Sequence, residues 1–124
     1  MRETCSWTWF LIAGIVIFIL GGLHMMTVHM NAILGIFNPV PGGAVAWENV
    51  SWRGGNLFFT VTYIFLLAAV LYHGFFGLRT ILFELGPSPG RQRFITKFLW
   101  CAGIVLFVIG TYAAIVARSI GKAL

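Results

Sequence analysis

Three long apolar stretches, separated by polar stretches, dominate this chain of 124 residues. The apolar pattern predicts helices over about residues 7–30, 55–84 and 94–118. Each covers the roughly 20 residues that a helix needs to cross the hydrocarbon core of a bilayer. Residues 1–6 are predicted to be a short polar head. No small-residue cleavage pattern follows the first stretch, which is therefore predicted to be retained as a transmembrane helix rather than removed as a signal peptide.

The polar stretch between the first two apolar stretches contains turn-forming residues, Asn38, Pro39, Pro41, Gly42 and Gly43. It continues as AVAWENVSWR, residues 44–53, where tryptophans alternate with charged residues. This mixture is typical of a short segment lying in the membrane interface. The second polar stretch, residues 85–93, is a Pro/Gly turn followed by basic residues. We therefore predict an all-α membrane protein, a single domain over residues 1–124, with three transmembrane helices and a short interfacial segment between the first and second.

Composition supports this prediction, because 60% of the residues are hydrophobic and only 9% are charged, with a mean hydropathy of +0.95. Soluble domains carry about a quarter charged residues, so a water-soluble domain is excluded. The net charge of +5 is accounted for by basic residues at the helix ends, and we predict no nucleic-acid partner. Cys5 and Cys101 lack the spacing of a metal site and are predicted to behave as small apolar residues.

The basic residues also predict an orientation. With three spans, the amino terminus and the 85–93 loop lie on one side, which carries Arg2, Arg79, Arg91, Arg93 and Lys97. The other side carries Arg53, Arg118 and Lys122. Because cytoplasmic ends are richer in Lys and Arg, we predict a cytoplasmic amino terminus in a bacterial or archaeal cytoplasmic membrane.

His73 interrupts the apolar run of the second stretch, which Arg79 and Glu84 close. Such a residue at membrane depth is costly without a partner and is a functional-site candidate by default. Gly74 and Gly77 remove side-chain bulk nearby, as the approach of a flat macrocycle would require. We predict that His73 is an axial ligand of a haem iron. The alternative is a core histidine bonded to a carbonyl group of a neighbouring helix.

His24 and His29 lie towards the end of the first stretch, five residues apart, so they do not share one helical face. His24 lies deeper and is the second ligand candidate, while His29 is either its substitute or a hydrated interfacial side chain. At 1.5 Å per residue, the predicted depths of His24 and His73 differ by about 10 Å. If both are ligands they should serve two haems, with the missing ligands supplied by another chain.

Two charged residues follow His73 at the end of the second stretch. Arg79 lies about 9 Å further along the helix and either extends to the interface or pairs with a haem propionate. Glu84 either handles protons near a quinone pocket or only ends the helix. No nucleophile–base pair, phosphate-binding loop or carboxylate pair is found.

The spacing His73-x-x-x-Gly77-x-Arg79, followed by Glu84 and Gly86, resembles the H-x-x-x-G-x-R-x-x-x-x-D-x-G pattern of succinate dehydrogenase and fumarate reductase membrane anchors. Residues 48–59, ENVSWRGGNLFF, resemble the interfacial segment before that helix in these anchors. Trp9, Gly14 and a histidine near the far end of the first helix resemble the family's W…SG…H layout. With the three-helix plan, the resemblance covers nearly the whole chain.

The resemblance implies a cytochrome b anchor of complex II, in electron transport and the tricarboxylic acid cycle. The anchor would dock a flavoprotein subunit and an iron–sulfur subunit, and pass electrons to quinone without performing the succinate chemistry itself. His73 matches the family's haem-ligand position, and His24 the additional ligand of two-haem forms. One or two haem b groups, shared with a second homologous anchor chain, are therefore expected, and Trp9 and Glu84 are the candidates on the quinone side.

Three departures from the family pattern concern quinone, and one of them is Leu85, where the sister anchor often has a quinone-binding Tyr. The family's R-x-S-G of the first helix is Leu11-Ile12-Ala13-Gly14 here, and its Asp in the second helix is Glu84. We therefore expect a partner anchor to supply polar groups of the quinone site. The competing hypotheses are a structural anchor without haem, a cytochrome b anchor of another oxidoreductase such as a hydrogenase or formate dehydrogenase, and a small transporter.

Overall fold

The computed structural model describes residues 2–29, 35 and 38–124, with Arg2 described by its backbone alone. The first helix, α1, covers Arg2–Val16 and continues through a π-helical turn, Ile17–Gly21, into α2, Gly22–His29. Three further helices follow: α3 over Trp47–Gly55, α4 over Leu57–Glu84 and α5 over Pro89–Ala123. The predicted end of the first span at residue 30 lies outside the described residues.

The all-helical prediction with three membrane-length helices is confirmed within the described part of the chain. Glu3–His29, Leu57–Glu84 and Pro89–Ala123 are each long and apolar enough to cross a membrane, and the chain is an integral membrane protein. The predicted segment between the first two spans is also present, as the nine-residue helix α3. Trp47 and Trp52 remain exposed on it, at 61% and 38%.

Two helices are longer than predicted. Residues 2–6 are not a separate polar head but the first turns of α1, where the Thr8 hydroxyl donates to the Thr4 carbonyl at 2.9 Å. Helix α5 begins at Pro89, five residues before the predicted start, and has 35 residues, or about 52 Å at 1.5 Å per residue. The hydropathy pattern marks only the part of a helix in lipid, whereas backbone hydrogen bonding continues into the polar flanks.

Helix α4 has a defined beginning and end. The Asn56 side chain accepts a hydrogen bond from the Phe58 amide at 2.9 Å, as an N-cap does. After Glu84 the chain turns at Gly86, whose φ of +67° is a left-handed conformation that favours glycine. This turn leads to Pro89 at the first position of α5, which Pro tolerates because no intrahelical donor is needed there.

Helix α4 lies between the other two spans. Helices α1 and α5 each pack against α4, while no Cα atoms of the described residues of α1 and α5 come within 8 Å of each other. The beginnings of α1 and α5 meet the end of α4, and we call this the amino-terminal end of the molecule. At the opposite end, which we call the loop end after residues 38–46, α3 packs on α4 and α5. The described chain is therefore a row of helices, with much of α4 left uncovered.

A polar cluster holds the loop end together. The Asn49 side chain, fully buried, accepts from the Val40 amide at 3.0 Å and donates to the Val40 carbonyl at 2.9 Å and the Gly43 carbonyl at 3.3 Å. Arg53, 5% exposed, donates to the Asn38 side-chain oxygen and to the Ala44 carbonyl at 2.6 Å. These bonds fold residues 38–46 onto α3.

Candidate functional site

His73 lies on the side of α4 that faces α1. Its Nδ1 atom is 3.0 Å from the carbonyl oxygen of Phe10. Because a carbonyl can only accept, Nδ1 must carry the proton of this hydrogen bond. The Phe10 ring stacks on the imidazole, with centroids 4.1 Å apart and planes inclined by 7°. Phe10 therefore contacts His73 through both its backbone and its side chain.

The second nitrogen of His73 is left available. Nε2 has no hydrogen-bond partner among the described residues. It is also not one of the fully buried atoms, so it remains accessible. A neutral imidazole protonated on Nδ1 carries its lone pair on Nε2, which is the form that binds a metal. The hydrogen bond to the Phe10 carbonyl also satisfies the alternative interpretation of a core histidine.

The two glycines that the sequence associated with a cofactor have different surroundings. A Cβ atom at Gly74 would meet no atom within 4 Å, so the helix surface beside His73 is open there. A Cβ atom at Gly77 would lie 3.4 Å from the Phe10 ring. Gly77 thus faces α1, and it accommodates Phe10.

His24 lies further towards the loop end, against Tyr63 of α4. The two rings meet edge to face, with centroids 5.4 Å apart. The Nδ1 atom of His24 is buried and has no hydrogen-bond partner, an arrangement that is costly unless a ligand or water completes it. His29, at the end of α2, is exposed. Between the two histidines, His24 is the one with an unsatisfied nitrogen inside the protein.

The two candidate ligands lie at different depths. His73 is level with Phe10 and His24 with Tyr63, ten residues or about 15 Å apart along α4. The sequence predicted a difference of about 10 Å between the depths of the two rings. The opposite faces of one haem cannot reach both rings.

Arg79 connects all three spans at the amino-terminal end. Its Nε donates to the Thr96 hydroxyl of α5 at 3.1 Å, and its guanidinium lies 3.7 Å from the Glu3 carboxylate of α1. The guanidinium carbon also lies 4.3 Å from the centre of the Phe83 ring. Six residues after His73, at 100° per residue, Arg79 projects about 120° away from it around α4.

Two cavities adjoin Arg79. One, of about 260 Å³, lies between α4 and α5 and extends from Arg79 and Thr96 to Phe107. The other, of about 440 Å³, lies between the beginning of α1 and the end of α4, and includes Glu3 and Trp7. Both are mainly apolar, with Arg79 as their shared cation.

The quinone candidates are placed apart from these groups. Trp9 is 58% exposed on α1 and Glu84 is exposed at the end of α4, and neither lines the two cavities. Sequence reasoning did not find Phe10, Glu3 or Thr96. The spacing Phe10-x-x-x-Gly14, the same as His73-x-x-x-Gly77, was the available signal for Phe10. Among residues 2–29, 35 and 38–124, no three His, Cys, Asp or Glu side chains come together as a metal site.

Comparison with known proteins gives one informative match. The chain is 26% identical over 110 residues to the succinate dehydrogenase hydrophobic membrane anchor subunit of Archaeoglobus fulgidus. The alignment covers 89% of this chain and 86% of that protein. No family model matches the chain, and no solved structure matches it.

Proposed function

We propose that this protein is the haem b-binding membrane anchor of a succinate:quinone oxidoreductase. In this role it docks a flavoprotein subunit and an iron–sulfur subunit, and conveys electrons between them and membrane quinone. The observation that carries the proposal is His73, within the membrane, with Nδ1–H bonded to a carbonyl and Nε2 free. The similarity to a succinate dehydrogenase anchor along most of the chain supports the choice of complex.

The polypeptide supplies ligands, and the environment around them. Haem b, when bound, provides a one-electron carrier whose potential depends on its axial ligands and their hydrogen bonds. His73 provides Nε2 as one ligand, and His24 is proposed as a ligand of a second haem at the other depth. Because α4 is uncovered between α1 and α5, a second, homologous anchor chain can approach it and contribute the remaining ligands.

At the amino-terminal end, Arg79 is proposed to pair with a haem propionate through the guanidinium donors that Thr96 does not occupy. Its ion pair with Glu3 is held at 3.7 Å by a carboxylate that is 80% exposed, so an incoming anion can replace it at little cost. Trp9 and Glu84 remain proposed contacts to quinone, in a site completed by partner chains. We place this end in the cytoplasm.

The test is a dithionite-reduced minus oxidised spectrum, with a haem titration, on the purified complex. The His73→Ala variant should lose a b-type α-band, and His24→Ala should lose a second, spectrally separate haem. His29→Ala, which alters an exposed histidine of the same helix, is the matched control and should retain the wild-type haem content. Reduction of the haem by succinate would identify the complex as a succinate dehydrogenase rather than another oxidoreductase.

The second candidate function is a structural anchor without haem. It is favoured by one observation, namely that the Phe10 carbonyl already gives His73 a hydrogen-bond partner. A complex that contains the flavoprotein and iron–sulfur subunits but shows no b-type band would establish this alternative and refute the haem proposal.

A further inference from the structure

Helices α1 and α4 carry the same spacing at the place where they cross. On α1 an aromatic residue, Phe10, lies one turn before Gly14, and on α4 the imidazole of His73 lies one turn before Gly77. Residues four apart lie on the same face of a helix. Each helix therefore presents one flat ring and one vacant position to the other.

The two spacings fit each other reciprocally. A Cβ atom at Gly14 would lie 3.2 Å from Cε1 of His73, and a Cβ atom at Gly77 would lie 3.4 Å from Cε2 of Phe10. The rings of His73 and Phe10 stack between these two positions, 4.1 Å apart. Since the helices run antiparallel, each ring occupies the space that the glycine of the opposite helix leaves.

We infer that this reciprocal packing orients the haem ligand, with Phe10, Gly14 and Gly77 as positioning residues for His73. This inference rests on the proposed function, because it concerns the ligand of the proposed haem. The Phe10 ring fixes the plane of the imidazole, the Phe10 carbonyl fixes the proton on Nδ1, and Gly14 lets the ring approach that carbonyl. Gly77, the glycine of the H-x-x-x-G spacing, then makes room for Phe10 of α1 rather than for the macrocycle.

The hydrogen bond has a measurable consequence for the iron. A ligating histidine that donates its other N–H to an acceptor becomes a more basic ligand, and a more basic ligand favours the ferric state. Displacing the ring from the Phe10 carbonyl should therefore raise the reduction potential of the haem bound at His73.

The experiment is a redox titration and a low-temperature EPR spectrum of the ferric complex for Gly14→Ala and Phe10→Leu. In Gly14→Ala the new methyl group must push the imidazole by a few tenths of an ångström, so the potential should rise and the low-spin signal should shift. Phe10→Leu keeps an apolar side chain but removes the stacked ring, and should broaden the signal. Phe10→Tyr retains the stacked ring and, unlike Phe10→Leu, should keep the wild-type spectrum.

The chain offers matched glycine controls. A Cβ atom at Gly22 on α2 or at Gly90 on α5 would meet no atom within 4 Å, so Gly22→Ala and Gly90→Ala should leave potential and spectrum unchanged. A wild-type potential and signal in both Gly14→Ala and Phe10→Leu would overturn the inference.

A measurement without haem separates this inference from the proposed function. The imidazole ¹⁵N shifts of His73 in the labelled complex should report a neutral ring protonated on Nδ1, and Gly14→Ala should alter them. Wild-type protein that lacks haem but shows this tautomer would refute the haem proposal while retaining the packing. A ring protonated on Nε2 in protein without haem would refute the packing.

Discussion

Buried polar side chains in this apolar chain divide into those whose hydrogen bonds are complete and those with an atom left over. Asn49 and Arg53 are bonded to backbone and side-chain oxygens within the loop end. His24 has a buried nitrogen with no partner. Since an unpaired buried polar group costs about 1–3 kcal/mol, the first kind stabilises the fold. The second kind lowers stability unless a water molecule or another group completes its hydrogen bond.

Replacing Asn49 by alanine should destabilise the loop end. The substitution leaves the amide and carbonyl of Val40 without their partner and removes one of the two donors to the Gly43 carbonyl, and we expect a loss of about 2 kcal/mol. Thermal denaturation of the detergent-solubilised protein measures the effect. Val45→Ala, at a position in the same loop that is 72% exposed, is the control. Equal melting temperatures for the two variants would show that the Asn49 bonds contribute nothing.

For individual residues, the sequence predicted part of the candidate site. His73 was identifiable because one ionisable ring interrupts an apolar helix. The sequence could not show which imidazole nitrogen is free, because that depends on the Phe10 carbonyl, 63 residues away in the chain. Arg53 was counted among the basic residues of one membrane side. Its burial under residues 38–46 depends on a loop conformation that no local pattern encodes.

At the scale of the elements, the backbones of α3 and α5 approach each other closely at their glycines. A Cβ atom at Gly55 would lie 2.8 Å from the Gly121 carbonyl, and one at Gly121 would overlap the Ser51 carbonyl and the Gly55 amide. The obstacles are backbone atoms, which cannot rotate away as a flexible side chain can. The short interfacial helix is therefore fixed to the end of the third span by the absence of side chains.

Gly121→Ala should separate α3 from α5. Overpacking typically costs 1–3 kcal/mol, and we expect about 3 kcal/mol here because both contacts are with backbone. The matched control is Gly90→Ala in the same helix, where a Cβ atom meets nothing within 4 Å. Thermal denaturation of both variants in detergent should show a lower Tm for Gly121→Ala alone. An unchanged Tm for Gly121→Ala would contradict the close packing described here.

The order and number of elements were predictable, since hydropathy is a strong signal over 20 or more residues. The orientation of His24 was not predictable. The π-helical turn at Ile17–Gly21 interrupts the 3.6-residue periodicity between His24 and Gly14. A π-helical turn adds a residue to one turn of a helix and so rotates everything after it. The direction in which His24 faces relative to Gly14 could therefore not be predicted from their spacing in the sequence.

The whole molecule combines an uncovered central helix with an uneven distribution of charge. Because the backbones of α1 and α5 both pack on α4 and not on each other, the three spans do not enclose a core. The amino-terminal end carries Arg79, which joins all three spans, together with the basic residues at the start of α5. We propose that this end lies in the cytoplasm, because cytoplasmic ends are richer in Lys and Arg, and that soluble partner subunits dock there.

The cysteines provide a direct test of that assignment. Cys5 is exposed in the first turns of α1, whereas Cys101 is exposed on the membrane-spanning part of α5. A membrane-impermeant maleimide should therefore label Cys5 in inverted vesicles and not in right-side-out vesicles, with Cys101 unlabelled in both because lipid surrounds it. A Cys5→Ser variant carrying Leu124→Cys, at the opposite end of the molecule, should show the reverse pattern. Labelling of Cys5 from the outside would place the amino terminus outside, and the docking surface for soluble subunits would then have to lie at the loop end.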